Sequence, residues 1–147
     1  MRDDLPIELT HKVRDTCLCL HVQRAARAVA RRFDEALRPV GLTNGQFSLL
    51  MCLNRPEPPT ISSVSSLLAM DRTTLTANLK PLERRGLVKV TVDEADRRSR
   101  RLLLTPEGQD VLAKAVPLWA ECQAENARLV TASENLDNLL AELRSLS

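Results

Sequence analysis

Four arginines, Arg97, Arg98, Arg100 and Arg101, surround Ser99 in the stretch DEADRRSRRLLLTPEG, between two apolar runs. A solvated loop needs only polarity. Guanidinium groups this dense suit a polyanion, because each planar fork can bond two phosphate oxygens or a guanine edge. From Arg72 to Arg101 nine Lys/Arg stand against four acids, a net +5 in a chain of net charge +2, so the remaining residues sum to −3. Charge gathered in one segment of a nearly neutral chain is the footprint of a nucleic-acid face. The bland alternative is a basic run that merely solvates a loop.

The other chemistry-bearing residues are thiols and imidazoles. Cys17, Cys19, Cys52 and Cys122 are expected to be reduced, as redox or core residues rather than a disulfide framework. Cys17 and Cys19, two apart, do not share a helix face, and only His11 and His21 could join them, so no four-ligand metal set and no cofactor is expected. Four glycines form no phosphate loop, and neither a nucleophile elbow nor a close histidine pair occurs, which argues against an enzyme.

At 147 residues the chain fits one domain, and 2% aromatic content calls for an aliphatic core. The opening MRDDLPIELTHKV is charged, and no apolar run approaches the ~20 residues of a membrane span, so a cytoplasmic protein with no membrane partner is expected.

From Asp15, the residues Leu18, Val22, Ala25, Val29, Phe33 and Leu37 form one stripe of a long amphipathic helix ending near Pro39 and Gly41. Thr43 and Gln46 form a capping box for a mostly buried helix carrying Phe47, Leu49, Leu50, Met51 and Leu53. Thr60 caps a short helix with Ile61, Val64, Leu67 and Leu68. After a turn at Ala69 and Met70, Asp71 caps a second, whose stripe is Leu75, Leu79 and Leu82. Pro81 predicts a kink or early end there. LVKVTV, with Val88, Val90 and Val92 on one side, and RRLLLT read as antiparallel strands, which makes DEADRRSR the hairpin tip. Thr105 and Pro106 start a long helix through Leu112, Val116, Trp119 and Cys122. Thr131 and Glu134 start a last one striped by Leu136, Leu139, Leu140 and Leu143. The fold class is mainly α with a small β-hairpin, the plan of a winged helix-turn-helix. In that plan the second short helix enters the major groove, and the hairpin arginines reach phosphates or the minor groove.

MDRTTLTANLKPLERRGLVKVTVDEADRRSRRLLLTPEG resembles the winged-helix core of MarR-type (multiple antibiotic resistance regulator) transcription factors, and GLTNGQFSLL with the flanking helices extends the likeness over nearly the whole chain. The resemblance implies a single domain over 1–147, with a winged-helix core at about 43–105 and dimerisation helices at about 10–38 and 106–147. It implies a homodimer on an inverted-repeat DNA operator, most simply a repressor. By position, Arg72, Thr73, Thr74, Thr76 and Asn78 match the recognition helix, with Lys80, Arg84 and Arg85 placed to touch phosphates or to line a solvated side. Asp96 and Arg98 match the wing Asp-x-Arg, in which the acid orients the arginine; Arg97, Arg100 and Arg101 join the DNA face.

Two signals and one rival class stay open. TCLCLHV resembles the first-helix region of peroxide-sensing members, which implies Cys19 as reactive thiol and, in their two-cysteine branch, Cys122 of the partner subunit as the resolving thiol, although the tyrosines of those sensors are absent here. Both cysteines also read as small core residues. A small apolar or aromatic acid between the dimer helices and the DNA-reading part is the second option, with His21, Arg24, Phe47 and Trp119 as candidate pocket residues. A different class altogether is a winged-helix module that binds protein instead of DNA.

Overall fold

A computed structural model of the chain describes residues 2, 4–130 and 135–146. They divide into two compact units, Met1–Arg32 and Phe33–Ser147, the boundary falling within a helix.

The first unit holds α1 (Ile7–Thr16) and most of α2 (Leu18–Leu37). The long helix expected from Asp15 is α2, which starts three residues later, after Cys17, whose backbone is extended at φ −73° and ψ 106°; α1 before it was not expected. The Thr16 hydroxyl donates back to Lys12 O at 2.7 Å, the kind of local competition that weakens a helix at a β-branched residue. None of α1 is buried, and of the expected α2 stripe only Leu37, which lies in the second unit, is; Leu18 and Val22 are exposed.

In the second unit α3 (Asn44–Leu53) is the hub, touching α5 (Arg72–Arg84), β2 (Arg100–Leu104) and α6 (Pro106–Val130). Its capping box forms as expected, Thr43 Oγ1 accepting from Gln46 N and Gln46 Oε1 from Thr43 N. α4 (Ile61–Leu67) is capped by Thr60 and α5 by Asp71, with Ala69 taking the left-handed conformation in the turn between them. Val64, Leu75 and Leu82 are fully buried beside Leu37, Leu49, Leu50 and Leu102, an aliphatic core. α5 does not stop at Pro81. It runs to Arg84, because Leu79 and Leu82 bury their side chains on either side of the proline, and core burial holds the last turn. Met51, Leu67, Val92 and Val116, read as inward from periodicity, are all exposed. In α6 the buried face passes through Leu112, Ala115 and Cys122 instead.

β1 (Val88–Val92) pairs antiparallel with β2, Val90 opposite Leu102 and Thr91 opposite Arg101. The chain entering α4 adds a third rung, Leu102 N donating to Pro59 O at 2.9 Å. α6 is locked to this sheet by Thr105, whose hydroxyl donates to Gly86 O at 2.7 Å and accepts from Gly108 N at 3.0 Å. Thr105→Val keeps the shape and removes both bonds. It is expected to destabilise the fold by about 1–2 kcal/mol in urea denaturation; an unchanged midpoint would show the cap to be idle. The final helix, α7 (Leu136–Arg144), is capped by Asn135, and the expected box at Thr131 and Glu134 lies outside the described residues.

Candidate nucleic-acid interface

The cap at Asp71 fixes which side chains α5 presents. Thr74 donates its N–H and its hydroxyl to the Asp71 carboxylate at 2.8 and 2.9 Å, which lowers the Asp71 pKa and commits Thr74 to the cap. Thr76 donates its hydroxyl to Arg72 O at 2.7 Å, leaving its lone pairs and methyl outward. Asn78 turns toward α3: it donates to Thr74 O, and its Oδ1 lies 3.0 Å from where a Cβ on Gly45 would sit. Arg72, Thr73, Thr76, Ala77 and Lys80 line one shallow groove on the exposed side. Among the described residues neither the Arg72 guanidinium nor the Lys80 ammonium has a hydrogen bond or ion pair. Arg85 is engaged elsewhere, donating to Gly41 O and Val40 O at the turn after α2.

The hairpin divides its four arginines in two. Arg97 and Arg98 stand exposed at the tip, with no hydrogen bond or ion pair from their side chains among the described residues. Asp96 meets the tip through the backbone, not through the Arg98 side chain: its Oδ1 accepts the Arg98 N–H at 3.0 Å, and its carbonyl accepts Ser99 N–H at 2.8 Å. Arg100 curls onto the tip carbonyls, donating to Arg97 O at 3.0 Å and Ser99 O at 3.2 Å. Arg101 points back into the protein, 3.0 Å from the Asp93 carboxylate.

Asp93 went unremarked in the sequence. The strand register puts it on the same side as Thr91 and diagonal to Arg101, a signal visible only once the pairing is known. The Arg101 guanidinium, helped by the Ala95 N–H, lowers the Asp93 pKa from its ordinary 3.8. A folded pKa below the unfolded one stabilises fully above the unfolded value, and that stability is lost as pH falls through the folded one. Asp93→Asn is therefore expected to flatten the acid limb of stability against pH below about pH 4. Superimposable acid limbs for variant and wild type would contradict this.

The other candidates are divided between the two units. Phe47 and Trp119 stack with ring centroids 6.0 Å apart and planes 19° apart, joining α3 to α6. His21 and Arg24 are exposed on the first unit's part of α2, His21 Nδ1 lying 2.9 Å from Cys17 O, which requires the proton on Nδ1. Cys19 is exposed and accepts from Gln23 Nε2 at 3.3 Å, whereas Cys122 is buried with Asn126 Nδ2 at 3.3 Å from its sulfur. Burial raises the Cys52 pKa, as befits a core residue. Among the described residues no group of three or more His, Cys, Asp or Glu is placed to hold a metal ion, and no helix is long and apolar enough to cross a membrane.

Comparison with known proteins fits this geometry. The MarR family model matches residues 42–99, from the start of α3 through the hairpin tip. The Mycobacterium tuberculosis transcriptional regulator MosR, crystallised in complex with DNA, is 38% identical, with 89% of this chain and 93% of that one covered and a TM-score of 0.79. The chain belongs to the MarR family. A second solved structure, the transcriptional repressor CouR bound to a 23-mer DNA duplex, is 31% identical over 92% of this chain and 94% of its own, with a TM-score of 0.79. CouR has also been solved bound to p-coumaroyl-CoA. The organic hydroperoxide resistance regulator of Bacillus subtilis is 29% identical over 74% of each chain. Two other curated relatives, both HTH-type transcriptional regulators, are matched over only 64% and 51% of their length. The winged helix-turn-helix expected from the sequence is thus the fold of MarR regulators, with α4 and α5 as the helix pair and β1 and β2 as the wing.

Proposed function

We propose that the protein is a cytoplasmic, non-enzymatic transcriptional regulator. It binds an inverted-repeat operator in double-stranded DNA as a homodimer, acts as a repressor, and leaves the operator when a small molecule or oxidant engages it. One observation carries this reading. The open face of α5, with Arg72, Thr73, Thr76 and Lys80, and the open guanidiniums of Arg97 and Arg98 are held by one continuous core. That is the pairing of a major-groove helix with a wing that reaches phosphate or minor groove. The exposed apolar side chains of the terminal helices, among them Leu18, Val22, Leu140 and Leu143, support dimerisation through those helices. MosR and CouR were crystallised on DNA, and p-coumaroyl-CoA on CouR supports a small-molecule effector.

The test is fluorescence anisotropy of the reduced protein on labelled DNA from beside its own gene, across a salt series. Binding is expected to weaken steeply with salt, by roughly 0.9 in log–log slope for each phosphate contact. Salt-insensitive or absent binding moves the winged-helix interaction module to the front.

The exposure of Cys19 and the hydroperoxide-regulator relative favour a second reading of the signal. A Cys19 thiolate attacks the O–O bond of an organic hydroperoxide, forming a sulfenic acid and releasing an alcohol. A Cys122 thiol then displaces water to give a disulfide. Peroxide should release the DNA from wild type and not from Cys19→Ser; equal release from both removes this reading.

A further inference from the structure

Arg101 joins the wing to the loop before α4. Arg101 lies in β2 opposite Thr91, and its guanidinium leaves the sheet in two directions. Nη1 donates to Pro58 O at 2.8 Å, and Nη2 lies 3.0 Å from Asp93 Oδ2. Its backbone meets the same loop, through the bridge to Thr60 and the neighbouring bond from Leu102 N to Pro59 O. Asp93 is the other half of the fastening. It is only 6% exposed, its Oδ1 accepts the Ala95 N–H at 3.0 Å, and its own N–H donates to Ser99 O at 3.1 Å. A fixed chain of contacts therefore runs from Pro58 through Arg101 and Asp93 to Ser99, and the loop it closes displays Arg97 and Arg98.

Electrostatics alone does not account for this carboxylate. A negative charge at the root of a cationic tip repels phosphate, and it occupies a guanidinium that would otherwise attract it. A positional role does account for it. The planar fork holds its bonds to the carbonyl and the carboxylate at fixed angles, whereas a lysine ammonium, with three donors on a freely turning end, fixes neither direction.

We propose that Arg101 and Asp93 are positioning residues for DNA binding: Arg101 touches no DNA, and with Asp93 it pins the wing root to the loop before α4 and so sets the reach of Arg97 and Arg98 relative to α5. This rests on the reading of the wing as a DNA-binding element.

Asp93→Asn gives the decisive sign. Removing a negative charge from the DNA side tightens binding on electrostatic grounds, whereas loss of the fastening weakens it, by an expected fivefold or more, roughly the penalty of re-ordering a loosened loop. Arg101→Ala and Arg101→Lys are expected to match Asp93→Asn, and the double variant Asp93→Asn, Arg101→Ala to be no weaker than either single change. Hydroxyl-radical footprints should lose protection where the wing lies and keep it where α5 lies. Tighter or unchanged binding by Asp93→Asn, additive losses, or rescue by Arg101→Lys overturns the proposal. Arg98→Ala separates the two layers. If it weakens binding while Asp93→Asn does not, only the positioning role fails; if it too has no effect, the wing reading fails and takes this inference with it. Should Asp93→Asn not fold, hydrogen exchange in the free wild-type protein decides. Protected Asp93 and Ser99 amides are expected, and exchange at free-peptide rates overturns the fastening.

Discussion

The Arg97→Ala, Arg98→Ala double variant is expected to bind its operator about 100-fold more weakly than wild type, with an unchanged melting temperature. Each lost guanidinium contact to DNA removes about 1–3 kcal/mol, and two modest losses multiply to that factor. The side chains are exposed and hold nothing in the fold, whereas the backbone N–H of Arg98 that Asp96 grips is retained in alanine. The salt dependence should change as well. Two missing phosphate contacts flatten the log–log slope by roughly two units, so the deficit shrinks as salt rises. If instead the variants lose affinity equally at every salt concentration, the tip arginines are reading something other than phosphate. Full affinity at all salt concentrations would remove the wing from the interface and leave α5 alone with Arg72 and Lys80.

How much of this was legible in the sequence depends on how local each determinant is. Thr43, Thr60, Asp71 and Thr105 set helix starts because a cap works within three residues, and each of the four accepts the backbone N–H expected of it. The stripe of Leu75, Leu79 and Leu82 placed α5 for the same reason. What failed to show was set by partners far along the chain. Arg85 holds Gly41 across 44 positions and Arg101 holds Pro58 across 43, so two cations that looked available to phosphate are tied to backbone carbonyls of their own chain. Periodicity likewise reports which residues are apolar, not what faces them. Leu67 and Val116 sit on helices whose other faces met the core first. The candidate site was therefore legible in the sequence as a cationic segment, and which of its members stand open had to be sorted by tertiary contacts.

Gly108→Ala is expected to destabilise the protein by about 3 kcal/mol and lower its melting temperature by roughly 10 °C. Helix propensity alone predicts the opposite sign, since alanine in place of a helical glycine stabilises by about 1 kcal/mol. The packing decides between them. A Cβ at Gly108 would lie 2.2 Å from Leu87 O and 2.7 Å from Leu104 Cδ1. The first of these is a backbone atom and cannot turn aside. Leu87 is held on both sides, its N–H donating to Leu82 O at 2.9 Å and its carbonyl accepting Thr105 N–H at 3.1 Å. Relief requires lifting the first turn of α6 off β1, which would break the Thr105 bonds that join helix to hairpin. Gly86→Ala is the control. That position has a φ of +70° but open space around the added methyl, so it carries only the strain of a left-handed alanine, about 1–2 kcal/mol. Thermal or urea unfolding of the two variants side by side measures the difference. A Gly108→Ala protein as stable as wild type would mean that α6 and the hairpin are free to separate, and the wing would then lack the rigid root on which its reach depends.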